Sequence, residues 1–323
     1  MLTAIFITLG LVVFELINSI DNAIVNAHIL RTMSERARRW FLIWGVLTAV
    51  IVMRGLVPAS FMTLVMKQPG MTFWETFKAV FSRNPAATEA IEHSAYILLL
   101  GGGIFLILLY LEWLFLEKKD PYFVPDRLIK PHHRVWFFTV AALLLVGTLY
   151  LSRHNPLAML SAAVGNTAFF ILFGFREMAE KAEHELERPG RSDFAKILYL
   201  QVLDASFSMD NVVGSFAFTT NVLMILVGNG LGALAVREMT IRGVTRVAKY
   251  KWLKNGAMTS IGLLGAFMML EALGAHLPQV LPTILTLSVV GWAFYASHRE
   301  LKRQENATTP EDRILPKPEA VAV

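Results

Sequence analysis

Two short stretches hold the residues whose types and spacing could do chemistry. Glu15-Leu16-Ile17-Asn18-Ser19-Ile20-Asp21-Asn22 lies inside an apolar run, and Asp204-Ala205-Ser206-Phe207-Ser208-Met209-Asp210-Asn211 repeats its acids, its Ser and its Asp-Asn at a constant offset of 189. An ionised acid at the centre of a membrane helix costs about 2.5–3.5 kcal/mol on insertion scales, so four of them demand counter-charges or protons. Glu15, Asp21, Asn22, Asp204, Asp210 and Asn211, with Asn18, Ser19 and Ser208 beside them, offer carboxylate, amide and hydroxyl oxygens. The chain has no cysteine, so thiolate ligands are excluded. Oxygen donors of this kind suit hard dications such as Mn²⁺, Mg²⁺ or Ca²⁺ and suit Cu⁺ or Zn²⁺ poorly. The same carboxylates can titrate as an ion leaves, which permits exchange for protons.

Helices must position these groups. Glu15, Ser19, Asn22 and Asn26 fall at i, i+4, i+7 and i+11, a single stripe, and Asp204, Ser208, Asn211 and Ser215 repeat it. Asp21 and Asp210 flank the stripes by one residue, about 100° of arc. No Gly or Pro interrupts residues 11 to 30, so an unbroken first helix is expected.

Composition says what surrounds them. With 55% hydrophobic and 17% charged residues and a mean hydropathy of +0.51, the chain reads as an all-α polytopic membrane protein. Nine spans are expected near 3–30, 41–57, 95–116, 135–151, 157–175, 197–219, 221–236, 257–275 and 281–297. Lys and Arg number 4, 5, 5, 6 and 5 in the odd connections and the tail, but 3, 1, 0 and 0 in the even ones. The positive-inside rule then places the N-terminus outside and the C-terminus in the cytoplasm of an inner (plasma) membrane. The net charge of +5 and pI near 9.4 therefore reflect loop sorting, and the partner implied is the lipid bilayer and not nucleic acid. Glu15 and Asp21, with no basic segment before them, mark the first segment as a retained helix rather than a signal peptide.

The likeness between halves extends further. Gly45 and Arg54 match Gly228 and Arg237 at an offset of 183, and Gly103 and Glu112 match Gly262 and Glu271 at 159. Ordered, shrinking offsets are what two three-helix units with different loops would give. Five crossings separate their starts, so the repeats are inverted in the membrane, an architecture of secondary transporters with midplane ion sites. The organisation expected is a first repeat over 1–116, two additional spans and loops over 117–196, a second repeat over 197–275, a last span over 276–297 and a disordered cytoplasmic tail over 298–323.

Smaller signals accompany these. Thr72-Phe73-Trp74-Glu75 is a capping-box pattern that starts a short amphipathic helix near 72–82 on the outer interface. His184 among acids reads as part of a solvated helix face, and Arg242, Arg246 and Lys249 as a stripe for anionic headgroups. Gly101-Gly102-Gly103 and Gly228-x-Gly230-x-Gly232 read as small-residue helix packing, since neither has dinucleotide-binding spacing. Arg54, Arg237, Glu112 and Glu271 lie nearer helix ends and are candidates for support or gating of the site: the two arginines either snorkel or pair with an acid when the site is empty, and the two glutamates read equally as interfacial acids.

The E-x5-D-N stretch at Glu15, Asp21 and Asn22 and the D-x5-D-N stretch at Asp204, Asp210 and Asn211, with an Arg ending each second helix, resemble the TerC family of membrane proteins. Its Alx-like members and the wider LysE-type transporter superfamily share the likeness, which covers roughly 1–115 and 195–275. The resemblance implies divalent metal efflux with Mn²⁺ the leading ion, and it implies a metal site at Glu15, Asp21, Asn22, Asp204, Asp210 and Asn211. Asp204 stands where the first half has the longer Glu15. Two other readings compete with the transporter. One is a membrane scaffold that supplies metal to exported proteins at the secretion machinery, and the other is an intramembrane aspartyl protease built on Asp21 and Asp210. The protease lacks the Y-D and G-x-G-D contexts of such enzymes, so the expectation is no enzyme and no resident cofactor.

Overall fold

A computed structural model describes residues 2–66, 72–81, 85–129, 134–186, 192–242, 247 and 249–307. Every element among them is a helix. In chain order these are α1 (Leu2–Asn18), α2 (Ile20–Arg31), α3 (Glu35–Trp40), α4 (Val46–Ile51), α5 (Val57–Met66), α6 (Phe73–Phe81), α7 (Pro85–Leu116) and α8 (Val124–Leu128). There follow α9 (Arg134–Leu151), α10 (Pro156–Leu186), α11 (Asp193–Ser215), α12 (Val222–Arg242), α13 (Leu253–Ala272) and α14 (Leu281–Ala307).

Five stretches are each long and apolar enough to cross a bilayer: Glu35–Val65, Ala95–Leu116, Pro156–Met178, Val222–Ile241 and Leu253–Ala272. The pair α1 and α2 makes a sixth if it counts as one span. The protein is thus an all-α polytopic membrane protein. The other expected spans, near 135–151, 197–219 and 281–297, lie on α9, α11 and α14. The apolar part of α9 is short, α11 carries its own acids and amides, and α14 runs into a charged end.

The first helix is not the unbroken rod expected: α1 and α2 meet at Ser19 with a bend of 49°. Side chains cause it in place of Gly or Pro. The Ser19 hydroxyl donates to Glu15 Oε1 one turn back at 3.1 Å and accepts from Asn211 Nδ2 at 3.1 Å, while Asn22 Nδ2 donates to Asp204 Oδ1 at 2.5 Å. Short polar side chains offer local alternatives to a straight ladder, and cross-helix bonds fix the bent form.

The second helical run is longer than expected, because α3, α4 and α5 join through π turns at Phe41–Gly45 and Val52–Leu56. Arg54 therefore sits in the middle of a helical run, 4% exposed, and not near a helix end. Such π turns re-aim side chains by adding a residue to one turn. Helix α6 begins where the capping box places it. Thr72 N donates to Glu75 Oε2 at 2.8 Å and Glu75 N to Thr72 Oγ1 at 3.3 Å.

Glycines set the close helix contacts. A Cβ on Gly103 would lie 2.7 Å from Met269 Cγ and 2.9 Å from the Gly265 carbonyl, so α7 and α13 touch backbone to backbone. A Cβ on Gly228 would lie 2.6 Å from that of Leu11, and one on Gly232 2.6 Å from that of Glu15, which seats α1 directly on α12. Leu11, Phe14, Ile104, Phe137, Leu264 and Met268 belong to the main core between these helices. At the other end of the chain α14 continues to Ala307, so the first part of the expected disordered tail is helical. Residues 308–323, Arg246 and the side chains of His184 and Arg242 lie outside the described residues.

Candidate functional site

Two polar clusters form on two different faces of α2. The first is the meeting of the two stripes. Glu15 is 0% exposed, and its Oε1 accepts from Arg54 Nε at 3.1 Å, from Arg54 Nη2 at 2.5 Å and from the Ser19 hydroxyl. Asn22 reaches Asp204 and Asn211 reaches Ser19, so α2 and α11 face each other through amides. Asn229 Nδ2 from α12 donates to the Ser215 hydroxyl at 2.6 Å and extends the network.

A cavity of about 40 Å³ adjoins this seam, lined by Ser19, Asn22, Asn26, Arg54, Asp204 and Arg237 among others. That is room for a few water-sized groups at most. Several buried acceptor oxygens around the seam have no donor: Glu15 Oε2, Asn22 Oδ1, Asn26 Oδ1, Asn211 Oδ1 and Asn229 Oδ1. Buried acceptors normally find partners, so a run of orphaned oxygens is the disposition that a cation or bound water satisfies. Arg237 contributes from the far side, its Nε donating to the Leu42 carbonyl at 2.7 Å.

Asp21 and Asp210 do not join that cluster. The flanking register that separates them from the stripes turns both into a second cavity of about 680 Å³. There Lys254 Nζ lies 2.7 Å from Asp21 Oδ2 and also pairs with Glu117 Oε1. Arg176, 10% exposed, pairs with Asp210 Oδ1 and reaches Glu112 Oε2 at 3.5 Å, and its guanidinium lies 5.9 Å from the centre of the Phe207 ring. The cavity wall holds five acids, Asp21, Glu112, Glu117, Glu177 and Asp210, against three bases, Arg176, Lys251 and Lys254, leaving two negative charges in excess. Asn18 also lines it, its amide buried without a partner. Ile17, Ile24, Phe173, Phe207 and Met258 supply apolar wall.

The six residues expected to share one site are therefore divided: Glu15, Asn22, Asp204 and Asn211 at the seam, Asp21 and Asp210 in the larger cavity. Among the described residues no group of three or more His, Cys, Asp or Glu is close enough to hold a metal ion. Ser208 is buried with its hydroxyl unpartnered, and Glu271, near the end of α13, lines neither cavity.

Arg176, Lys254 and Glu117 are functional candidates that the motif spacing and the charge count by connection do not single out. Counting charges by connection assigns Arg176 to a loop, although the apolar stretch runs to Met178 on its far side and so already marks it as an intramembrane base. Lys254 stands one residue inside α13 and has no comparable signal.

Comparison with known proteins adds family but no chemistry. The chain matches the uncharacterized membrane protein YceF of Bacillus subtilis (strain 168) at 23% identity over 122 residues, 37% of this chain and 48% of that protein. It thus spans about half the length of this curated relative. No solved structure matches. The model of the family described as "Protein of unknown function (DUF475)" matches residues 20–304, most of the helical bundle with all of α11 to α13, and the chain belongs to that family.

Proposed function

We propose that this membrane protein transports divalent cations, with Mn²⁺ the leading ion and efflux the direction, by alternating access between two inverted repeats. One observation carries the reading. Carboxylates on opposed helices, at Asp21, Asp204 and Asp210, border two cavities, with Glu15 buried behind the smaller one against Arg54, and the larger cavity has acids in excess of bases. Stability alone does not favour such acids, because taking a charge out of water costs several kcal/mol even when it is paired. A transported cation gives them a use.

The repeat is supported by matched helix contacts. The packing of α1 on α12 corresponds to that of α11 on the α3–α5 run, and the packing of α1 on α13 to that of α11 on α7. The likeness to TerC proteins in the two acid-x5-Asp-Asn stretches supplies Mn²⁺ and efflux. Under the positive-inside assignment the larger cavity lies toward the cytoplasm of the inner membrane, where Glu117 and Lys251 mark its rim, and it forms the vestibule for a hydrated ion. The seam, with its orphaned oxygens, takes the ion after it sheds water. The acids that release the ion can accept protons, which makes proton exchange the coupling.

Thermal unfolding of the purified protein with Mn²⁺, Ca²⁺, Mg²⁺ and Zn²⁺ tests this. A cation bound only by the folded state stabilises by about 2.7 kcal/mol at a hundred times its Kd. Mn²⁺ is expected to raise the midpoint most, and Asp210→Asn to remove the rise. No rise with any of the four, or an undiminished one in Asp210→Asn, contradicts the reading.

A further inference from the structure

Two basic side chains occupy the positions where a cation would sit between paired acids. Arg176 of α10 lies between Glu112 of α7 and Asp210 of α11, and Lys254 of α13 lies between Asp21 of α2 and Glu117 just past α7. In both places a positive charge lies between two carboxylates. Each trio keeps a net charge of −1, whereas two carboxylates around a dication are neutral.

We infer that Arg176 and Lys254 are built-in substitute cations, each holding a pair of acids in the empty protein and giving way when a divalent cation arrives. This inference rests on the cation-transport reading and assigns the residues that set its affinity and its empty state. Three features fit it. Both bases come from helices other than those carrying the acids they hold, so release of either one loosens contacts between helices. Arg176 has a place to withdraw to, the face of the Phe207 ring that it already approaches at 5.9 Å. Both trios border the same cavity of about 680 Å³, large enough to take a hydrated ion before either base moves.

The consequence is opposite in sign to a purely structural role. Truncating a structural base weakens everything that depends on the fold. Removing a competing cation strengthens binding of the ion that it competes with, because a charged hydrogen bond is worth about 1.5–3 kcal/mol, equivalent to roughly tenfold or more in Kd.

The experiment titrates the purified full-length protein with Mn²⁺ alone and compares the wild type with Arg176→Met, Lys254→Met and the charge-keeping Arg176→Lys. The two Met variants are expected to bind Mn²⁺ about tenfold tighter or more. Arg176→Lys is expected to stay close to the wild type. If the wild type binds Mn²⁺ and the Met variants bind equally or more weakly, the inference is overturned while cation transport stands. If none of the proteins binds, both fall. Each variant is also unfolded thermally with and without Mn²⁺. A Met variant that is unfolded in metal-free buffer and recovers its transition with Mn²⁺ supports the inference, and one that does not recover overturns it.

Discussion

Arg54 and Glu15 provide the most quantitative prediction. Their side chains are 4% and 0% exposed, and two of the bonds to Glu15 Oε1, at 3.1 and 2.5 Å, come from one guanidinium. Removing one partner of such a pair strands a buried charge at a cost of about 3–5 kcal/mol. Arg54→Met leaves Glu15 with the Ser19 hydroxyl alone, and Glu15→Gln leaves Arg54 facing an amide. Each single variant should lose about 3–5 kcal/mol. The double variant removes both charges of the pair, and Asp204, which the guanidinium also attracts, keeps its Asn22 donor: the amide introduced by Glu15→Gln keeps the Ser19 hydroxyl as a donor, and methionine fills most of the arginine stem's volume. It should lose much less than the sum, giving a coupling energy near the upper end of the roughly 0.5–3 kcal/mol range for residues in contact. Equilibrium unfolding in mixed micelles of detergent and dodecyl sulfate, followed by far-ultraviolet circular dichroism, measures all four proteins. Additive losses, with coupling near zero, would refute the assignment of Arg54 as the internal partner of Glu15.

Four further outcomes follow from the packing and the hydrogen bonds. Gly103→Ala pushes a methyl against Met269 and the Gly265 carbonyl, which should cost about 1–3 kcal/mol of overpacking, read as a lower unfolding midpoint; an unchanged midpoint contradicts the close α7–α13 approach. Asn255→Ala removes one donor from Asp126, which is 3% exposed and accepts from Asn255 Nδ2 at 2.8 Å, and leaves it the backbone N–H groups of Phe123 and Tyr122; losing this charged hydrogen bond should cost about 1.5–3 kcal/mol in the same assay. Ser19→Ala removes the hydroxyl shared by Glu15 and Asn211, so spin labels on α1 and α2 should report a bend smaller than 49°, and an unaltered distance would show that the backbone alone sets it. Glu75 sits below the usual carboxylate range because Thr72 donates to it through its backbone N–H and its hydroxyl. A depressed folded value means that its capping contribution is present above the unfolded value and is lost as pH falls through the folded one. The fluorescence of Trp74 should change at that pH in the wild type and not in Glu75→Gln.

The helices were legible in the sequence because apolar length and the capping box are local properties. Thr72 and Glu75 close their box where the spacing places it, and the glycine runs sit at helix contacts because no other residue lets two backbones approach so closely. The two polar stripes were legible too, since their period is helical, and they meet through Asn22–Asp204 and Asn211–Ser19. Other features depend on contacts that no local pattern encodes. The bend at Ser19 is tied to a bond to Asn211 on a helix far along the chain, and the one-residue offset of Asp21 and Asp210 becomes a division between cavities only through the partners that other helices bring, Lys254 and Arg176. A count of charges by connection assigns Arg176 and Lys254 to solvated loops, whereas the tertiary structure folds both inward.

The central claim, that these acids carry a divalent cation across the bilayer, is tested most directly by Mn²⁺ flux into liposomes containing the purified protein and an entrapped indicator. The account predicts protein-dependent Mn²⁺ movement that Asp21→Asn and Asp210→Asn each reduce severely. Flux equal to that of empty liposomes, or flux that both substitutions leave unchanged, would contradict it.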